Sequence, residues 1–105
     1  MIIRFEKEYL RELYETGSTG DKKHRYQPEV VRRYQLRVKT LEKALAIEEL
    51  FPLVSLHYEV LKGDKAGISS IRVDKRYRIE FTVEEILGHK LLTVCNILEL
   101  SNHYN

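Results

Sequence analysis

Leu56-His57-Tyr58-Glu59-Val60-Leu61-Lys62-Gly63-Asp64-Lys65-Ala66-Gly67 runs directly into Ile68-Ser69-Ser70-Ile71-Arg72-Val73-Asp74-Lys75-Arg76-Tyr77-Arg78-Ile79-Glu80-Phe81. The alternation of apolar and polar residues on either side of a glycine turn predicts a strand over 55–61, a turn over 62–67 and a hairpin of 68–73 with 77–83. A two-residue turn at Asp74-Lys75 would set Ile71 opposite Arg78 and mix the two faces. A three-residue turn, Asp74-Lys75-Arg76, pairs Val73 with Tyr77 and Ile71 with Ile79. It keeps each face consistent, and a buried face normally fixes register. That register also sets Arg72 opposite Arg78 and Ser70 opposite Glu80. Two facing arginines cost from some tenths to about 1 kcal/mol without a counter-charge, part of which Glu80 can supply. The face is therefore either a solvated surface with a local salt bridge or a cationic cluster that holds an anion, with phosphate the first candidate.

Upstream, Ile2 to Phe5 is a short β-prone run. Phe5, Tyr9, Leu10, Leu13 and Tyr14 follow with helical spacing, and Gly17, Ser18 and Gly20 end that helix. Pro28 suits the first turn of a second helix, in which Val31, Tyr34, Val38, Leu41 and Leu45 form one apolar stripe. Arg32, Arg33, Arg37, Lys39 and Lys43 occupy much of the rest. Glu48 to Pro52 reads as a short helical turn or a loop. Downstream of Gly88, Leu91 to Leu100 is apolar on both faces, as a central or well-covered strand would be. The pattern predicts an antiparallel helical hairpin packed on a sheet, in one domain over 1–105, a length that supports a single modest core.

The net charge of +2 does not announce a polyanionic partner, but its distribution does more. Residues 22–43 hold eight Lys/Arg against two acids, and residues 62–78 hold six against two. Local basic patches steer polyanions even when the total is near neutral. The single cysteine, Cys95, excludes an internal disulfide, and its apolar neighbours predict a buried structural thiol. The N-terminus lacks a signal-peptide pattern and no run approaches a membrane span, so the expected location is the cytoplasm.

Four histidines, His24, His57, His89 and His103, show no metal-ligand spacing, and no zinc site or other cofactor is expected. There is no phosphate loop, dinucleotide fingerprint or nucleophile elbow. What the chain does offer is a combination: Lys62, Arg72 and Arg78 on neighbouring strands, His57 on the segment before Lys62, and His103-Tyr104 just past the last strand. Cations for a phosphate, an imidazole that titrates near neutrality and an aromatic that stacks on a base are the parts a ribonuclease needs.

Those residues resemble a known family. Leu56-His57, Leu61-Lys62-Gly63-Asp64, Gly67, Ser70-Ile71-Arg72-Val73 and Tyr77-Arg78-Ile79-Glu80-Phe81 are similar to the HigB branch of the RelE/ParE toxin superfamily. So are the Ile2-Ile3-Arg4-Phe5 opening, Tyr14-x-x-Gly17 and the Ser101-Asn102-His103-Tyr104 ending. The resemblance implies an α+β fold with two N-terminal helices on a small curved antiparallel sheet. It implies a toxin of a type II toxin-antitoxin system that enters the ribosomal A site and cleaves mRNA without a metal. It also implies neutralisation by a HigA-like helix-turn-helix antitoxin, with the toxin monomeric inside that complex.

On that resemblance Lys62, Arg78, His103 and His57 are the catalytic candidates. Arg72, Arg76, Tyr104 and the helical Arg32, Arg33, Arg37 and Lys39 are the candidates for RNA contact. Three departures stand out: Tyr58-Glu59-Val60 separate His57 from Leu61, the C-terminal pair reads His103-Tyr104, and the hairpin aromatic is Tyr77 rather than Trp. Two other functions fit the same superfamily or composition. One is a ParE-like toxin that binds DNA gyrase without ribonuclease residues. The other is a non-catalytic RNA-binding module.

Overall fold

In the computed structural model, which describes residues 1–102, the chain begins with β1 (Ile2–Phe5) and then α1 (Glu8–Thr16). Gly17 ends α1 in the left-handed region at φ 80°, with its N–H returned to the Leu13 carbonyl, a conformation that favours glycine. Pro28 opens α2 (Pro28–Lys43), where its missing N–H leaves no helical hydrogen bond unmade. Tyr9, Leu10 and Leu13 of α1 and Val30, Val31, Tyr34, Val38 and Leu41 of α2 are buried. The helices are tied together by the Tyr34 hydroxyl, which donates to the Leu10 carbonyl at 2.8 Å, and by Gln35 Nε2, which donates to the Leu13 carbonyl at 3.1 Å.

The sheet is built from β1, β2 (Glu59–Val60), β3 (Ser69–Arg72), β4 (Arg78–Leu87) and β5 (Leu91–Ser101), in the order β1-β5-β4-β3-β2. Four of the strands run antiparallel, as expected. The fifth does not: β1 lies parallel to β5, with Ile3 beside Cys95 and Phe5 beside Ile97. The sheet is mixed, which corrects the expectation of a purely antiparallel one. The chain between β1 and β5 passes through both helices and three other strands, and so long a crossover lets two strands run in the same sense. Ile71, Val73, Ile79, Phe81, Cys95, Ile97 and Leu100 join the helical residues in one core. Burial pushes the Cys95 thiol up to about 12, as a structural cysteine requires.

Two local expectations fail. The predicted strand over 55–61 is a 3-10 turn at Val54–Leu56 followed by the two-residue β2. Leu56 is drawn into the core and His57 reverses the chain at φ 45°, so alternation cannot persist through the segment. Leu45 leaves the apolar stripe and is 78% exposed, because α2 stops at Lys43 and Ala44 is already extended. Short 3-10 turns also form at Ile47–Leu50 and Gly63–Lys65, where a helical turn and a glycine turn were expected.

Candidate functional site

The hairpin turn spans three residues. Asp74 Oδ1 accepts the N–H groups of Arg76 and Tyr77, each at 2.8 Å, and Val73 N–H reaches the Tyr77 carbonyl at 2.9 Å. The β3–β4 register follows as expected: Arg72 opposite Arg78, Ile71 opposite Ile79 and Ser70 opposite Glu80. Ile71 and Ile79 point into the core. Ser70, Arg72, Arg78 and Glu80 share the opposite face, because side chains alternate across a strand.

That face is not a solvated charge run. Arg78 is 8% exposed and Glu80 is 2% exposed, with Ser70 and Ser101 buried beside them. Arg78 Nε donates to Ser70 Oγ at 2.8 Å and lies 3.7 Å from Glu59 Oε1. Its Nη2 donates to the His57 carbonyl and, at 3.3 Å, to the Ser70 carbonyl. Glu80 accepts from Lys65 Nζ at 3.0 and 3.1 Å. The two arginines opposed across the ladder therefore turn their charge to different partners. Arg72 Nε takes the Asp74 carbonyl at 3.1 Å, and its Nη1 meets His57 Nε2 at 3.3 Å.

His57 is where these interactions meet. It is the one non-glycine residue with positive φ among those described, a conformation that costs an L-residue roughly 1–2 kcal/mol. Buried Arg78 holds its carbonyl and Arg72 meets its ring. A guanidinium has only donors, so a hydrogen bond in that contact would use Nε2 as the acceptor. From α2, Arg37 Nε donates to the Arg72 carbonyl at 3.0 Å. Burial, and secondarily the Arg33 charge, hold the Arg37 guanidinium below its usual pKa. His57, Arg72, Arg78 and Arg37 are thus one cationic constellation built from four separate segments.

The remaining candidates are distributed otherwise. Lys62 is exposed at the start of the Gly63–Lys65 turn. Because Leu61 N–H pairs with the Ile68 carbonyl, Lys62 lies beyond the end of the β2–β3 ladder away from Arg72. Arg76 sits at the hairpin tip with its guanidinium carbon 6.0 Å from the Tyr77 ring centroid. Arg32 and Arg33 are both clasped by Glu29, at 2.6 and 3.1 Å, and these hydrogen bonds hold the Glu29 carboxyl down at about 2. Lys39 is exposed on α2. His103 and Tyr104 lie outside the described residues.

Sequence reasoning missed Lys65, Ser70 and Glu59 as supports of the site. The Ser70–Glu80 register pointed to Ser70. Nothing in the spacing indicated that Lys65, rather than Lys62, folds back onto Glu80.

The chain is similar to known proteins. A family model described as a RelE-like toxin of type II toxin-antitoxin system HigB matches residues 3–92. Toxin HigB-1 of Vibrio cholerae serotype O1 is 33% identical over 82 residues, covering 77% of this chain and 82% of that protein. Among solved structures, a YoeB/ParE toxin from Agrobacterium tumefaciens superposes with a TM-score of 0.60 over 99% of this chain and 100% of its own, at 19% identity. That last likeness shows the fold. The matched family model, and a HigB relative identical at a third of the aligned positions, establish that this chain belongs to the HigB-like family of RelE-superfamily toxins of type II toxin-antitoxin systems.

Proposed function

We propose that this toxin is a metal-independent endoribonuclease that cuts mRNA on the translating ribosome. A HigA-like helix-turn-helix antitoxin would neutralise it. The observation that carries the reading is the convergence of Arg72 and Arg78 on His57, an imidazole beside a half-buried guanidinium and above a buried one.

The chemistry follows from that geometry. The 2′-hydroxyl of the RNA attacks the adjacent phosphorus, an O2′–P bond forms, and the P–O5′ bond breaks to leave a 2′,3′-cyclic phosphate and a 5′-hydroxyl. When a phosphate enters, Arg72 moves its Nη1 donor from His57 Nε2 to a phosphate oxygen. The freed Nε2 lone pair then takes the 2′-hydroxyl proton, a transfer typically worth about 10²–10⁴-fold. His103 is the candidate to return a proton to the departing O5′. Arg78 acts from beneath: it fixes the His57 backbone and adds positive charge in a poorly hydrated site, where it favours the charge developing on the phosphate. Lys62, past the far end of the β2–β3 ladder, and Arg76, at the hairpin tip, would serve as outlying phosphate contacts, with Tyr104 as a stacking residue. Lys39 and the less neutralised end of α2 would meet ribosomal RNA through salt-sensitive backbone contacts.

Mapping mRNA 5′-ends in a translating extract tests the reading. New ends at ribosome-occupied codons, lost with His57→Ala combined with His103→Ala, are the expected result. Intact mRNA with trapped gyrase–DNA complexes would replace the nuclease by a gyrase poison.

A further inference from the structure

The loop between the helices is a built structure rather than a slack connection. Asp21 accepts the Lys23 N–H at 2.9 Å and meets His24 Nδ1 at 3.0 Å. The His24 ring stacks on buried Tyr9, with centroids 3.6 Å apart and planes within 7°. Tyr26 then crosses to the sheet, where its hydroxyl donates to the Leu100 carbonyl at 3.2 Å and its ring meets Tyr77 edge-on at 5.4 Å. The loop is thus fixed beside the end of β5, and a cleft of about 240 Å³ opens between them.

Lys23 and Arg25 from the loop, the Tyr26 and Tyr77 rings, and Glu99 and Asn102 near the end of β5 all line it. Among the described residues no carboxylate comes within 4 Å of the Lys23 or Arg25 charge, whereas Glu99 has Lys7 at 3.8 Å. Ser101, which lines the cleft, is the ladder partner of Arg78, so that pair is where the cleft comes nearest the His57–Arg78 site along the sheet. Two cations beside two held tyrosine rings suit a phosphate and a base, and base–aromatic stacking tolerates any sequence. Glu99 and Asn102 supply acceptors for the N–H edges of a base.

We propose that the cleft between the α1–α2 loop and the end of β5 binds single-stranded RNA next to the scissile nucleotide, with Lys23 and Arg25 on a backbone phosphate and Tyr26 and Tyr77 against a base. The proposal rests on the nuclease reading and names how its substrate is held. Its test is fluorescence anisotropy of the whole chain with a labelled, 2′-O-methylated octaribonucleotide across a salt series.

Lys23→Ala with Arg25→Ala should weaken binding roughly tenfold and flatten the salt slope by about 1.4, with the melting temperature unchanged. Lys23→Arg with Arg25→Lys should restore both. Equal affinity and slope in the double alanine variant and the wild type would overturn the cleft assignment. If mRNA is still cut in extract in that case, the nuclease reading survives it. Wild-type chain that leaves mRNA intact, yet binds RNA through Lys23 and Arg25, would keep the cleft and remove the nuclease. Loss of a protein partner rather than of RNA in the double variant would reassign the surface to that partner.

Discussion

Arg78 on β4 and Arg32 on α2 are the same residue type in two basic stretches of similar density, and the fold treats them in opposite ways. Arg78 is buried against Ser70, with its guanidinium spread over Ser70, Glu59 and the His57 carbonyl. Arg32 is exposed and shares Glu29 with Arg33 one helical turn away. An ion pair of the second kind is worth little in water. A buried, fully engaged guanidinium fixes everything it touches. Density of positive charge along a sequence thus marks where anions are attracted, while burial marks which cation shapes a site.

The sharpest way to break this contrast is to remove each arginine. Arg78→Ala leaves buried Ser70 and the His57 carbonyl without their donor and takes the cation away from Glu59. It should cost roughly 3 kcal/mol in urea unfolding and abolish growth arrest. Arg32→Ala should leave both close to wild type. If the two changes cost the same, burial is not what separates the two regions.

A smaller effect is expected one layer out. Lys65→Ala removes one cationic donor from the nearly inaccessible Glu80 carboxylate and should destabilise by about 1–2 kcal/mol. Adding Glu80→Gln should recover part of that loss, since a buried negative charge no longer has to be held without the Lys65 cation. A double-mutant cycle measures this coupling directly, and strict additivity would show that the pair is incidental.

His57 sharpens the comparison further. Glycine tolerates the left-handed backbone and alanine does not, so His57→Gly should be more stable than His57→Ala by about 1 kcal/mol by thermal melting, while neither cleaves mRNA. Equal stability would mean that the backbone relaxes once the imidazole is gone.

The smallest effect lies on α2. The Glu29 carboxyl is held at about 2 against its ordinary 4.5, chiefly by the Arg32 hydrogen bond. Its folded-state value is depressed, so its contribution is complete above about pH 4.5 and fades as pH falls through about 2. NMR titration should place it there, and Arg32→Ala with Arg33→Ala should return it toward normal without altering activity at neutral pH.

Much of this molecule was legible beforehand, and the reasons are local. The Asp74-Lys75-Arg76 turn and the Arg72–Arg78 register followed from keeping Ile71 and Ile79 on one face. Gly17 and Pro28 bounded the helices because backbone conformation is decided within a few residues. The parallel β1, the loss of the strand at Ser55 and the exposure of Leu45 were not legible. Each depends on what lies across the core rather than along the chain.

The two amphipathic helices, the hairpin register and the presence of a cationic face are already written in the order of residues, since periodicity and turn chemistry act over short spans. Packing between distant segments is what brings Lys65 rather than Lys62 to Glu80 and buries Arg78 under His57, while Glu29 is shared between Arg32 and Arg33 on the helix surface. Desolvation and long-range pairing choose among identical charges, and both arise only once distant segments are brought together.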